Sequence, residues 1–343
     1  MTEPAERADR AAEAVSRALE AVVGRALGAR TEIRALARLT GGATKLTWSF
    51  DAVAGGEVLP LILQQTPPER LSGSESRVHG AQDAALLAAA AAAGVPGPRV
   101  RAVLGPDDGL GEGTITDRIA GETLGKKINT DPRLAAARPQ LAGQCGAILA
   151  AVHRIDAAGL GFLTTQTARH QLAMFRAMAD ACDHPLPAIE LGLRWVAEHL
   201  PAAPRLTVVH GDFRNGNLIV DDTGVRCVLD WELAHLGDPV HDLGWLCVKT
   251  WRFGGALPVG GFGHREDLFA AYERAGGDPV DPAHVRFWEA FGCIKWALMC
   301  MHKGLGALGA APGARRSVEA VAIGRRIEEP LLDFLDLITG KGA

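Results

Sequence analysis

The chain has 343 residues, 48% of them hydrophobic and 22% charged, as in a soluble globular protein long enough for two domains or lobes. Its formal net charge of −4, with Lys and Arg mixed among Asp and Glu, leaves no broad basic field and argues against nucleic acid as a partner. The longest apolar run, Ala84 to Ala93, is too short to cross a bilayer, the opening residues lack an apolar signal core, and the six cysteines show no paired metal spacing. A cytoplasmic protein with reduced thiols and no membrane segment is expected.

Residues 5–27 carry Ala, Val and Leu at helical spacing among Glu and Arg, which predicts an opening amphipathic helix. Strands follow. Ile33 to Leu39 leads into the Gly-rich turn Thr40-Gly41-Gly42-Ala43-Thr44, and Leu46 to Phe50 and Val58 to Leu63 flank Ala54-Gly55-Gly56, a small antiparallel sheet. Ser76 to Ala93 reads as a helix, stopped by Gly94-Val95-Pro96-Gly97-Pro98. Val100 to Leu104 and Thr114 to Ile119 supply two more strands, and Ala120-Gly121 reads as a crossing between lobes. From about Asp131 helices dominate: Leu141 to Ile155, His170 to Ala181, Ala188 to His199, Asp267 to Ala275, Pro282 to Met301 and Arg316 to Ile338. The expected class is α+β. Residues 1–119 form a small N-terminal lobe with an antiparallel sheet and a helix, and residues 120–343 form a larger, mostly helical lobe.

Between those helices lies the most informative segment, His210-Gly-Asp212-Phe-Arg-Asn-Gly-Asn217, followed by Leu229-Asp230-Trp231-Glu232. Short β-rich runs surround it: Leu206 to Val209 before the His, Leu218 to Val220 after the Asn, and Val225 to Leu229 before Asp230. Asp221-Asp222-Thr223-Gly224 supplies the turn of a hairpin between the last two. Phosphoryl transfer asks for one carboxylate to accept the proton of an attacking hydroxyl, and for oxygen ligands that hold Mg²⁺ against nucleotide phosphates. Asp212, Asn217 and Asp230 have the groups for those roles, and their strand-end positions predict that they converge.

On these residues the chain resembles the aminoglycoside phosphotransferase-like, choline kinase-related family, relatives of protein kinases, from about residue 35 onward. The core of the resemblance is His210-x-Asp212-x-x-x-x-Asn217, then Asp230, then Gly237-Asp238-Pro239 and Asp242-Leu243. It implies a two-lobed protein-kinase-like fold and transfer of the γ-phosphoryl group of ATP, or alternatively GTP, to a hydroxyl of a small molecule. Asp212 is then the catalytic base, with Asn217 and Asp230 as magnesium ligands. His210 orders the loop, Asp242 ties it down, and His153 is structural. Adenine is expected near Thr116 to Ala120, including Ile119, with the phosphates under Gly41 and Gly42. Where the family places a cation on the third strand this chain has Gln64, and the helix that should supply a partner Glu offers Asp83. Lys45 and Arg70 are the alternative cations for the phosphates.

Other motifs carry less. Gly304-Leu-Gly306-Ala-Leu-Gly309 follows a helical segment and not a strand, so a helix end is expected and no dinucleotide role is assigned. Gly121 to Lys127 has one residue too few between its glycines for a phosphate-binding P-loop. Two rival functions remain: a nucleotide-binding pseudoenzyme with a decayed phosphate site, suggested by Gln64 and Asp83, and a metal-dependent hydrolase built on His210, Asp212, His235, His241 and Asp230. The acceptor is expected among the helices and loops of residues 245–264 and 288–302. Their aromatics, Trp245, Trp251, Phe253, Phe287, Trp288 and Trp296, suit a partly apolar acceptor unless they are core.

Overall fold

The computed structural model describes residues 3–39, 45–66, 78–182, 186–202, 205–308 and 318–340. The chain divides into two units, one of residues 1–120, 156–163 and 229–234, the other of residues 121–155, 164–228 and 235–343. In the first unit α1 (Glu3–Leu27) leads into β1 (Thr31–Leu39), β2 (Leu46–Ala54) and β3 (Glu57–Thr66). After α2 (Ala81–Ala92) come β4 (Val100–Val103) and β5 (Glu112–Asp117), and the five strands form one antiparallel sheet in the order β1-β2-β3-β5-β4. Gly55 and Gly56, with φ of 60° and 88°, supply the two left-handed residues that a tight β2–β3 hairpin needs.

Alternation along these strands separates two faces. Phe50 and Ala52 of β2, Leu61 and Leu63 of β3 and Ile115 of β5 are fully buried in a cluster with Leu19, Val22 and Val23 of α1. Each of the larger side chains, Ala52 apart, contributes about 1.5–3 kcal/mol on burial. The opposite face carries polar residues in register, with Gln64 paired to Thr47 on one side and to Thr114 on the other, and Ile62 to Thr116. Thr114 and Thr116 are buried there, and α2 packs against β4 and β5.

The second unit contains α3 (Gly125–Thr130), α4 (Leu141–Val152), α5 (Ala168–Asp180) and α6 (Pro187–Glu198). Two short ribbons follow, β6 (Thr207–Val209) paired with β9 (His235–Gly237), and β7 (Leu218–Asp221) paired with β8 (Gly224–Val228). The remaining helices are α7 (Val240–Cys247), α8 (Arg265–Arg274), α9 (Pro282–Leu308), α10 (Val318–Gly324) and α11 (Glu328–Thr339). Helix α9 runs through the core. Trp288, Phe291, Ile294 and Leu298 on it bury themselves against Phe175 of α5, Leu193 of α6, Trp245 of α7 and Phe334 of α11. Gly146 lets α4 meet α8 backbone to backbone, since a Cβ there would stand 2.3 Å from the Leu268 carbonyl oxygen.

Several elements differ from the sequence expectation. The helix expected over 316–338 is two helices, broken at residues 325–327. Pro330 lies in the first turn of α11, where a missing N–H is tolerated, and the backbones of Gly324 and Gly304 are in close approach. Helix α9 continues past Met301 to Leu308, so most of the Gly304 motif is helix. The helix expected from Ser76 is described from Ala81 onward, and residues 67–77, with Arg70, lie outside the described residues. β5 ends at Asp117, which leaves Ile119 half-buried beyond the strand. The short elements α3, α7 and β9 were not anticipated, being too brief for a periodic signal.

Candidate active site

The loop from His210 to Asn217 joins β6 to β7 in the second unit, and its backbone is held from below by one carboxylate. Asp242, on α7 and fully buried, accepts from the His210 N–H through Oδ2 at 2.8 Å and from the Gly211 N–H through Oδ1 at 2.9 Å. Gly211, at φ 81°, takes the left-handed conformation that a side chain would penalise. His153, just beyond α4, meets Asp242 Oδ2 through Nε2 at 3.2 Å and the Tyr272 hydroxyl through Nδ1 at 2.9 Å. Burial alone would raise the Asp242 pKa. The hydrogen bond from His153 and the fields of His153, His210 and His241 outweigh it and hold the carboxyl far below its usual range.

Asp212 sits at the top of this loop with its side chain 14% exposed. Oδ1 accepts from Trp245 Nε1 at 2.7 Å and from Arg214 Nε at 3.1 Å, and Oδ2 accepts from Asn217 Nδ2 at 2.7 Å and from Arg214 Nε at 3.2 Å. Asn217 Nδ2 also donates to the Asp212 carbonyl at 2.9 Å, and the Asp212 N–H donates to His210 Nδ1 at 3.2 Å. The amide nitrogen of Asn217 is therefore committed within the loop, which turns its oxygen, the end able to ligate a hard cation, away from Asp212. Arg214 stacks on Trp251, 4.5 Å from the ring centroid.

Lys295 of α9 supports the loop from the core. Its Nζ donates to the Gly211 carbonyl at 3.2 Å and lies 4.3 Å from the centroid of Trp245. Burial pulls its pKa down to about 8, against the attraction of Asp212 and Asp242. On the loop's other flank Asn215 Nδ2 donates to Gly260 O at 2.7 Å and Gly125 O at 3.3 Å, and Asn129 Nδ2 donates to Arg252 O at 2.6 Å. Asn215 thereby fastens Gly260 to the loop, and Asn129 fastens Arg252 to α3.

The remaining predicted site residues belong to the first unit. Asp230 adopts φ 64° and ψ 65°, a left-handed conformation that costs a non-glycine residue about 1 kcal/mol and often marks a functional position. Lys45 Nζ and Asp83 Oδ2 form an ion pair of 2.6 Å. Gln64 and Thr116 lie on the polar face of the sheet, and Gly41 and Gly42 lie outside the described residues. Among the described residues no group of three or more His, Cys, Asp or Glu side chains is arranged to hold a metal ion. His241 instead packs on Trp288, ring centroids 4.5 Å apart, and burial pushes its pKa well down.

Most of the aromatics expected near an acceptor are core. Trp245, Trp251, Phe287 and Trp288 are buried in the main cluster and Trp296 packs against it, while Phe253 is exposed. Trp245 nonetheless reaches Asp212 with its indole N–H. Sequence reasoning gave no catalytic-loop role to Arg214, Trp245 or Lys295. Arg214 lies inside the motif, two residues after Asp212, and Lys295 is a lone charge in the apolar run Phe291 to Met301.

The profile of the phosphotransferase enzyme family (APH) matches residues 35–288. Among curated proteins, acyl-CoA dehydrogenase family member 11 of Gallus gallus is 34% identical over 171 residues, 43% of this chain and 22% of that protein. The chain spans less than a quarter of the length of the curated relatives it matches. Among solved structures, a Ralstonia eutropha JMP134 protein given a provisional aminoglycoside phosphotransferase name superposes with a TM-score of 0.71 at 20% identity, covering 96% of this chain and 98% of its own. Spectinomycin phosphotransferase APH(9)-Ia, solved with ADP and spectinomycin, gives 0.61 at 12% identity, covering 94% and 98%. These likenesses establish the protein-kinase-like α+β fold.

Proposed function

The chain belongs to the phosphotransferase enzyme family, and from that premise we propose that it moves the γ-phosphoryl group of ATP, or of GTP, to a hydroxyl of a small molecule. The observation that carries this reading is the Asp212 carboxylate, oriented by Trp245, Arg214 and Asn217 and still partly open to solvent. Asp212 accepts the hydroxyl proton as the acceptor oxygen forms its bond to the γ-phosphorus. The bond from that phosphorus to the β–γ bridging oxygen breaks, and the nucleoside diphosphate leaves with the electron pair. Positioning and charge neutralisation supply most of the acceleration.

Mg²⁺ on the nucleotide phosphates, when bound, supplies charge neutralisation. The oxygens of Asn217 and Asp230 are the donor type it takes, and they are the residues assigned to hold it. His210 accepts from the Asp212 backbone and so orders the loop without exchanging protons with substrate. Nucleotide is assigned to the lobe of residues 1–119 and acceptor to that of residues 120–343.

With most of the nearby aromatics committed to the core, the apolar-pocket argument for the acceptor weakens. The name of the Gallus gallus relative directs the first screen instead, to acyl-CoA thioesters carrying a hydroxyl. The pseudoenzyme reading is disfavoured by the geometry of the loop. A non-catalytic scaffold has no need to aim three donors at one partly exposed carboxylate.

Calorimetric titration with a non-hydrolysable ATP analogue, with and without Mg²⁺, tests the reading, with Asp230→Ala as control. Magnesium-dependent binding that the control loses supports it. A folded protein that binds no nucleotide contradicts it.

A further inference from the structure

The resemblance calls for a cation on β3, and Gln64 stands there, an amide that donates hydrogen bonds but carries no charge against phosphate. The acid meant to pair with such a cation is nevertheless in place and already paired. Asp83, in the first turn of α2, accepts from Lys45 Nζ at 2.6 Å, and each side chain is only 10% exposed. Lys45 directly precedes β2 and stands two residues before Thr47, the cross-strand partner of Gln64. Residues two apart share one face of a strand, so Lys45 enters the polar face on which Gln64 lies, one strand away.

Stability is a poor reason for this pair. Taking two charges out of water is costly, and well-packed apolar side chains in place of a buried ion pair are often neutral or stabilising. Burial raises the Asp83 pKa, Lys45 opposes that rise, and nearby Glu232 adds to it. An ammonium has three donors and the bond to Asp83 uses one of them. In the sequence the Gly41-Gly42 turn ends three residues before Lys45.

We infer that Lys45 is the phosphate-binding cation of this chain, standing at the foot of β2 in place of a lysine on β3, with Asp83 as the carboxylate that positions its ammonium. Its ligand is the polyphosphate of the nucleotide, so the inference rests on the nucleotide-dependent reading proposed above. The exchange is economical in sequence terms. A residue just before β2 supplies the charge that Gln64 of β3 lacks, and the helix acid keeps its own role.

The test is titration with the magnesium complex of a non-hydrolysable ATP analogue, with thermal unfolding in parallel. The wild type is measured first, since its failure to bind would overturn the proposed function and this inference with it. Given wild-type binding, Lys45→Met is expected to weaken affinity roughly 10- to 100-fold, the loss of a charge-assisted contact. That variant strands a buried carboxylate, so Lys45→Met with Asp83→Leu serves as the fold control, expected to regain stability and not affinity. Lys45→Met with Gln64→Lys is expected to recover most of the lost binding. Wild-type affinity in the Lys45→Met, Asp83→Leu protein would show a merely structural pair and overturn the inference. So would a folded Lys45→Met, Gln64→Lys protein that recovers no affinity.

Discussion

The loop around Asp212 and the polar face around Gln64 are two solutions to the placing of charge, and they are built differently. In the loop, backbone N–H groups of His210 and Gly211 converge on Asp242, and side chains of three further residues converge on Asp212. The polar face holds its charge with one ion pair, Lys45 to Asp83, beside an uncharged Gln64. Where several bonds over-determine one atom, a change in any residue is felt by all of them. Where one flexible lysine carries the charge, the residue that supplies it can move between strands as long as the ammonium reaches the same place.

The comparison is broken most forcefully at Asp212. Asp212→Asn keeps the size of the side chain and removes the base, and turnover is expected to fall roughly 10²–10⁴-fold while nucleotide affinity changes little. Steady-state kinetics beside calorimetry checks this. Next comes Asp242→Ala, which orphans two buried N–H groups and His153, with an expected loss of about 3–5 kcal/mol in chemical denaturation. The folded pKa of Asp242 lies below its unfolded value, so its contribution is present above the unfolded value and disappears as pH falls through the folded one. Asp242→Ala should therefore flatten the acid limb of the stability profile.

Lys295→Met is subtler, and pH exposes it. The ammonium loses its proton near pH 8, so wild-type activity is expected to decline above that pH as the grip on the Gly211 carbonyl weakens. The variant should lack that limb. Linkage runs the other way for stability. With the folded pKa below that of an ordinary lysine, the unfolded chain holds more protons between the two values, and this group's contribution to stability rises with pH there. An activity decline without unfolding separates the two effects. Smallest is Trp245→Phe, which removes one donor to Asp212 and is expected to change turnover several-fold, about 1 kcal/mol in the barrier.

The same contrast explains what could be read from the sequence. His210, Asp212, Asn217 and Asp230 fall within 21 residues of chain, so a single-segment motif displays them, and the alternation of β2 and β3 displays the sheet. Lys295 and Trp245 reach the loop from helices 83 and 33 residues away from Asp212, contacts that only the packing of α7 and α9 creates. The ion pair of Lys45 with Asp83 spans 38 positions. No local spacing predicts it, although the odd Gln64 marks the place where a charge was missing. The break between α10 and α11 was invisible for a related reason, since the close approach of Gly304 and Gly324 is a tertiary contact.

The most direct test of the central claim follows the phosphoryl group itself. The purified protein would be incubated with γ-phosphate-labelled ATP, Mg²⁺ and a panel of hydroxylated small molecules that includes hydroxyacyl-CoA thioesters, and the products separated. Transfer of label to the hydroxyl of one acceptor, abolished by Asp212→Asn, is the predicted result. Label appearing only as inorganic phosphate, or transfer undiminished in Asp212→Asn, would contradict the account.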